Sequence, residues 1–120
     1  MRVGVIGDIH ANLTALRAVL SDAATIGCDA IWCVGDVVGR GPHPNEVVDE
    51  LIRLEIPTVQ GNWDEAVGMD REQAGSLWTS PGAEEWGQAS LNWTGRVMDD
   101  DHRAWPPPRA TDPHRDAGWR

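Results

Sequence analysis

An α/β fold with a parallel βαβαβ core is the architecture this sequence predicts, and three observations carry it. Short Val- and Ile-rich runs alternate with stretches whose apolar residues recur at helical spacing. Strand, helix, strand, helix, strand in this order implies right-handed crossovers and a parallel sheet. Each apolar run also closes on a glycine followed at once by a polar residue: Gly7-Asp8, Gly35-Asp36 and Gly61-Asn62. Open parallel sheets bind ligands beyond the carboxyl ends of their strands, so three separate segments deliver polar groups to one edge.

The elements follow in chain order. Arg2 to Ile6 reads as a short buried strand. Asn12 is placed to cap a helix with an apolar stripe of Leu13, Leu16, Val19, Leu20 and Ala24. Ala30 to Val34 is the second strand, and a loop through Pro42 and Pro44 leads to a helix. That helix carries Val47, Val48, Leu51 and Ile52 on one face and Glu46, Asp49, Glu50 and Arg53 on the other. Pro57 to Gln60 is the third apolar run. Ser80-Pro81 with Glu84 and Glu85 is a helix start, with Trp86, Ala89 and Trp93 on one face, read as core or interface rather than a substrate platform. Asp99 to Trp105 predicts a further turn or two. From Pro106 the composition, with no aliphatic residue larger than Ala and four prolines, predicts disorder. The expected division is a domain over residues 1–95 and an irregular or disordered tail over 96–120.

With 120 residues, the chain has room for one small domain; such a chain buries roughly 65% of the surface its unfolded form exposes. Its formal charge is −9, and it contains no Lys. Such a surface repels nucleic-acid phosphate, and a chain of this charge that handles phosphate needs bound cations or a concentrated Arg pocket. Cys28 and Cys33 lack zinc-finger or redox spacing; an extended segment between them separates their Cα atoms by roughly 15 Å, beyond disulfide reach. With no secretory pattern and no apolar stretch approaching the ~20 residues of a membrane span, the expected setting is cytoplasmic, with no membrane partner.

Chemistry concentrates at the three strand ends. Asp8 and His10, two residues apart on a turn, can face one cation, and hard oxygen with imidazole nitrogen suits manganese, iron or zinc. Read structurally, the same pair is a capping Asp and an exposed His. Asp36, in GDVVGRGP, can bridge two cations through its two oxygens; two metals ~3.5–4 Å apart clamp a phosphoryl group from both sides. Its structural alternative is a loop cap. Asn62, in GNWD, offers a neutral amide oxygen to a second cation, or simply makes a turn.

Taken together, DIH, GDVVGRG and GNWD, each directly after a predicted strand, resemble the calcineurin-like metallophosphoesterases over Met1 to about Val67. The likeness is greatest to their small bacterial and archaeal phosphodiesterase branch, where GPxPNEV follows the GD motif as GPHPNEV does here. The resemblance implies the N-terminal half of an αββα sandwich. It also implies hydrolysis of small phosphate mono- or diesters by a metal-activated water, with two divalent ions, manganese first and iron or zinc next. Asp8 and His10 would bind the first metal, Asp36 would bridge, and Asn62 would bind the second. Arg40 would grip the substrate phosphate as a bidentate fork and join Asp36 in catalysis, or be a solvated loop Arg. His43 reads as an exposed loop residue, and Asp64 and Glu65 as first-turn residues of a short helix rather than braces of the metal shell.

Two departures from the family pattern stand out. Trp63 occupies the position of the family's His that is proposed to protonate the leaving oxygen; an indole N–H cannot act as an acid near neutral pH. Losing a general acid typically costs about 10²–10⁴ in rate for poor leaving groups. The later Gly-His and Gly-His-x-His motifs are absent, and His102 and His114 match neither. The chain therefore reads as C-terminally truncated, with an exposed sheet face that invites self-association. The alternative function is a truncated or degenerate relative that binds metal or a partner without turnover. A phospho-acceptor receiver domain needs a Lys that is absent, and GVIGDIH lacks the G-x-G-x-x-G of a dinucleotide binder.

Overall fold

A computed structural model describes residues 1–105. The expected disorder from Pro106 onward, and His114, lie outside the described residues. β1 (Val3–Ile6) and β2 (Ala30–Cys33) pair in parallel, Val3 against Ala30 and Ile6 against Cys33. The helices are α1 (Leu13–Thr25), α2 (Pro44–Arg53), α3 (Asn62–Gly68), α4 (Pro81–Val97) and α5 (Asp100–Arg103). The α/β class and the parallel pairing are as the sequence predicts. The third apolar run departs from the expectation: it touches the sheet only through an isolated parallel bridge between Cys33 and Thr58. Cys33 N–H donates to Pro57 O (2.8 Å) and Val59 N–H to Cys33 O (3.0 Å). Pro57 has no N–H to give, and the chain turns into α3 at Asn62, so the run is too short to extend the ladder.

Strand side chains alternate between faces. Ile6, Ile31 and Cys33 share the face that packs on the core, while Val5 is 62% and Val34 55% exposed on the other side. α1 starts where predicted: Asn12 Oδ1 accepts from Ala15 N–H at 3.0 Å. Its packed stripe is Leu13, Leu16, Leu20 and Ala23, a 3-4-3 spacing; Val19 and Ala24 are exposed, one position round the helix from the expected stripe. α2 begins at Pro44 and fully buries Val47, Val48 and Leu51. Each such side chain contributes about 1.5–3 kcal/mol, so packing holds this helix despite its β-branched pair. Ile52, expected on the same face, is half exposed near the helix end.

α4 is capped by Ser80, whose Oγ accepts from Ala83 N–H at 3.2 Å. It packs on the face opposite to the one predicted. Gly87, Leu91 and Thr94 are buried, whereas Trp86, Ala89 and Trp93 are exposed. The reason is steric: α4 rests on the Trp78 ring at Gly87, where even a Cβ would collide with the indole. The large rings on this helix have nowhere to go but outward. Met98 is buried and Trp105 packs against the core, while α5 contacts α2 and α3. Among the described residues no helix is long and apolar enough to cross a membrane.

Candidate metal centre

The first two motif loops are zipped together beyond the strands. Asp8 N–H donates to Gly35 O (3.1 Å), His10 N–H to Asp36 O (3.0 Å) and Ala11 N–H to Val37 O (2.8 Å). To make this ladder the chain adopts left-handed backbone at Asp8 (φ 51°), His10 (φ 47°), Ala11 (φ 56°) and Asp36 (φ 53°). Four non-glycine residues in that region within two short loops is uncommon, and such strain gathers at functional sites. One ligand atom from each of Asp8, His10 and Asp36 lies within 4.8 Å of the others.

The imidazole of His10 is oriented for this role. Its Nδ1 lies 3.2 Å from Val38 O, an acceptor to which it can donate, which leaves Nε2 as the ring nitrogen turned toward the carboxylates. Nε2 stands 3.4 Å from Asp8 Oδ1. A ring nitrogen tied to a backbone carbonyl while its partner faces carboxylates is the usual arrangement of a metal-binding His. Two carboxylates and one imidazole form a donor set suited to a divalent transition metal, and the residues fit such an ion.

Asp36 is held from the third motif. Its Oδ1 accepts the Trp63 N–H at 3.1 Å, and a Cβ on Gly61 would collide with the same carboxylate. Asn62 lies between these two contacts, exposed, with its amide nitrogen donating to Ala74 O at 2.6 Å. The amide oxygen is the atom Asn62 could offer a cation.

Asp64 does more than its helical position suggests. Oδ1 accepts from Val37 N–H (2.9 Å) and Val38 N–H (3.1 Å), and Oδ2 from Gly61 N–H (2.9 Å). It is therefore both a first-turn residue of α3 and the clamp that ties the second motif loop to the third. Burial pushes its pKa up to about 6, against the backbone hydrogen bonds that favour the carboxylate, with the nearby charge of Asp36 adding to the rise. The Gly61–Asp64 spacing hints at a cap, but the donors of Val37 and Val38 are distant in sequence and leave no local signal. Glu65, by contrast, pairs with Arg71 at 3.1 Å.

Trp63 is a core residue, 2% exposed. Its ring meets His10 edge-on (centroids 5.8 Å apart) and Trp78 edge-on (6.4 Å), and Nε1–H donates to Ser76 Oγ at 3.2 Å. The Arg40 guanidinium carbon lies 5.1 Å from the Trp63 ring centre and 5.8 Å from that of Trp78. Arg40 is exposed, and its N–H donates to Ser90 Oγ at 2.7 Å. It is thus oriented on two indole faces beside the cluster, an arrangement of aromatic partners that sequence reading missed. His43 is exposed just before α2, its N–H donating to Ala11 O at 3.0 Å, and is not one of the three grouped ligands. His102 is engaged elsewhere, between Asp49 and Asp99 at 2.5 Å each.

Comparison with known proteins places this geometry. The family model described as the calcineurin-like phosphoesterase superfamily domain matches residues 1–99. The protein MJ0912 of Methanocaldococcus jannaschii is 38% identical over 96 residues, covering 80% of this chain and 37% of that protein. A symmetrical bis(5'-nucleosyl)-tetraphosphatase of Pectobacterium carotovorum is 30% identical over 117 residues, covering 84% of this chain and 40% of that enzyme. The crystal structure of a metallophosphoesterase from Sphaerobacter thermophilus superposes with a TM-score of 0.63 at 39% identity, covering 88% of this chain and 39% of that one. The chain spans about two fifths of the length of these relatives. Family model, sequence relatives and superposed structure agree, and the chain belongs to the calcineurin-like phosphoesterase superfamily.

Proposed function

We propose that this chain carries part of a phosphoesterase site that holds a divalent transition metal and acts on small phosphate mono- or diesters. Asp8, His10 and Asp36 would hold the ion, with manganese the first candidate and iron or zinc next. Asn62 and Asp36 would serve a second ion more weakly, since two ligands are too few for tight binding. The observation that carries the reading is the convergence of three ligand atoms within 4.8 Å, with the His10 ring locked by Val38. A bound cation supplies charge neutralisation for the phosphoryl oxygens and acidifies water. The remaining work falls to the chain's own groups. Asp64 fixes the loop that presents Asp36, and Arg40 offers a planar fork to a phosphate without first having to be ordered. The Trp63 indole N–H cannot be released as an acid near neutral pH, so esters with good leaving groups, such as aryl phosphates, are favoured.

The test pairs binding with turnover. Calorimetry with Mn should show one dominant site, and hydrolysis of bis(p-nitrophenyl) phosphate should depend on Mn and vanish in Asp36→Asn. Metal affinity unchanged in an Asp8→Asn, Asp36→Asn double variant would remove the case for this centre. A second reading, metal binding without turnover, draws support from one observation: among the described residues Asp8, His10 and Asp36 are the one group of His and carboxylates able to share a cation. Mn binding lost in the double variant, with no Mn-dependent hydrolysis in the parent chain, would favour that reading.

A further inference from the structure

The α4 face that the core leaves uncovered borders the loop carrying Arg40. Between them runs a groove of about 310 Å3 lined by Arg40, Gly41, Pro42, Trp86, Ser90 and Trp93. Trp86 is 58% exposed and Trp93 37%, and their i, i+7 spacing sets both on one side of the helix. The loop that walls this groove also packs against the backbone of the first motif loop. Gly41, on its wall, packs so closely on the His10 carbonyl that no Cβ fits there. The Arg40 N–H fastens the same loop to Ser90 of α4. Arg40 makes no ion pair among the described residues, so its guanidinium is a cation without an anionic partner.

We propose that Trp86 and Trp93 form a subsite for a flat aromatic group on the phosphate ester, whose phosphoryl end lies toward Arg40 and the Asp8, His10 and Asp36 cluster. This assignment rests on the phosphoesterase reading above. Two indoles left in water at the mouth of a site gain by covering their faces, and a planar ring does so in offset or edge-on contact. Arg40 supplies the charge complement, since the chain is otherwise acidic (−9 overall) and repels an anionic ester elsewhere. A phenyl ring and a nucleobase share the required chemistry. A saturated chain fills the same space without the stacking contact.

The discriminating measurement is calorimetric binding of phenyl phosphate and methyl phosphate to the Mn-loaded chain. The parent chain should prefer the phenyl ester about tenfold, the scale of one good aromatic contact. The preference should collapse to within about twofold in the Trp86→Ala, Trp93→Ala double variant and persist largely in Trp86→Phe, Trp93→Phe. Both positions are solvent-facing, and retained Mn affinity reports that the variants are folded. Equal binding of the two esters by the parent chain, or an undiminished preference in the alanine variant, overturns the subsite. Light scattering tests the rival occupant: dimers lost in the alanine variant, with no aryl preference in the parent, would assign the face to a second copy of the chain and overturn the proposal. Inorganic phosphate separates the two levels of inference. No phosphate binding by the Mn-loaded parent counts against the phosphoesterase reading itself, and with it this one; phosphate binding without aryl preference counts against the subsite alone.

Discussion

Asp64 satisfies three backbone donors with two oxygens, and no other side chain can copy that pattern. An amide at this position keeps one oxygen for Val37 and Val38 but turns an NH2 group toward the Gly61 N–H. Asp64→Asn should therefore cost about 1–3 kcal/mol, the penalty of an unsatisfied buried donor, read as a lower urea midpoint. It should also weaken Mn binding, because the clamp presents the Asp36 loop. Trp63 teaches a related lesson. Replacing it by His looks, from sequence, like restoring a family acid. In the fold the indole fills space between Gly39, His10 and Trp78. Trp63→His should destabilise the chain by about 2–4 kcal/mol through the cavity it leaves. A melting temperature unchanged in that variant would show that the ring is not the packing element inferred here.

Among the elements, α5 is attached to α2 by an ionic contact. The His102 ring lies between Asp49 Oδ1 of α2 and Asp99 Oδ1, which caps α5. Burial pushes the imidazole pKa down, but the hydrogen bonds to Asp49 and Asp99 and their charges outweigh this and hold it above 6.5. The folded state thus keeps a proton that the unfolded chain releases. This contribution is complete below the unfolded value and is lost as pH rises through the folded one. Urea unfolding should show stability falling as pH rises above the ordinary imidazole range, and His102→Gln should flatten that slope. A slope that survives the substitution assigns it to other groups. α1 offers a simpler case: Asn12→Ala removes the acceptor for Ala15 N–H and should cost about 1 kcal/mol, measurable by the same titration.

At the scale of the molecule, one sheet face carries two exposed valines. Val5 and Val34 present more than half their surface to solvent, on a sheet that among the described residues has two strands. Exposed apolar faces and unpaired strand edges both favour association. We expect light scattering to report species larger than the 13.1 kDa monomer, and Val5→Thr with Val34→Thr to shift them toward monomer. A parent chain that stays monomeric at high concentration argues that this face is tolerated in water.

What the sequence determined by itself was local in origin. Glycine followed by a polar residue at Asp8, Asp36 and Asn62 marked the ends of the apolar runs, and helical periodicity with Asn12 and Ser80 marked the helices. These signals depend only on neighbours a few positions away, so the α/β class and the helices were legible, as was the convergence of Asp8, His10 and Asp36 at one edge. The tertiary structure decided what depends on distant contacts. It folded Pro57–Gln60 into a single bridge because the chain turns away at once into α3. It buried Trp63 and turned Trp86 and Trp93 outward because Gly87 gives Trp78 the space inside. It also aimed Asp64 at donors 26 and 27 residues away. Periodicity shows that a helix has an apolar side, but which side packs is settled by whichever neighbour the fold brings against it.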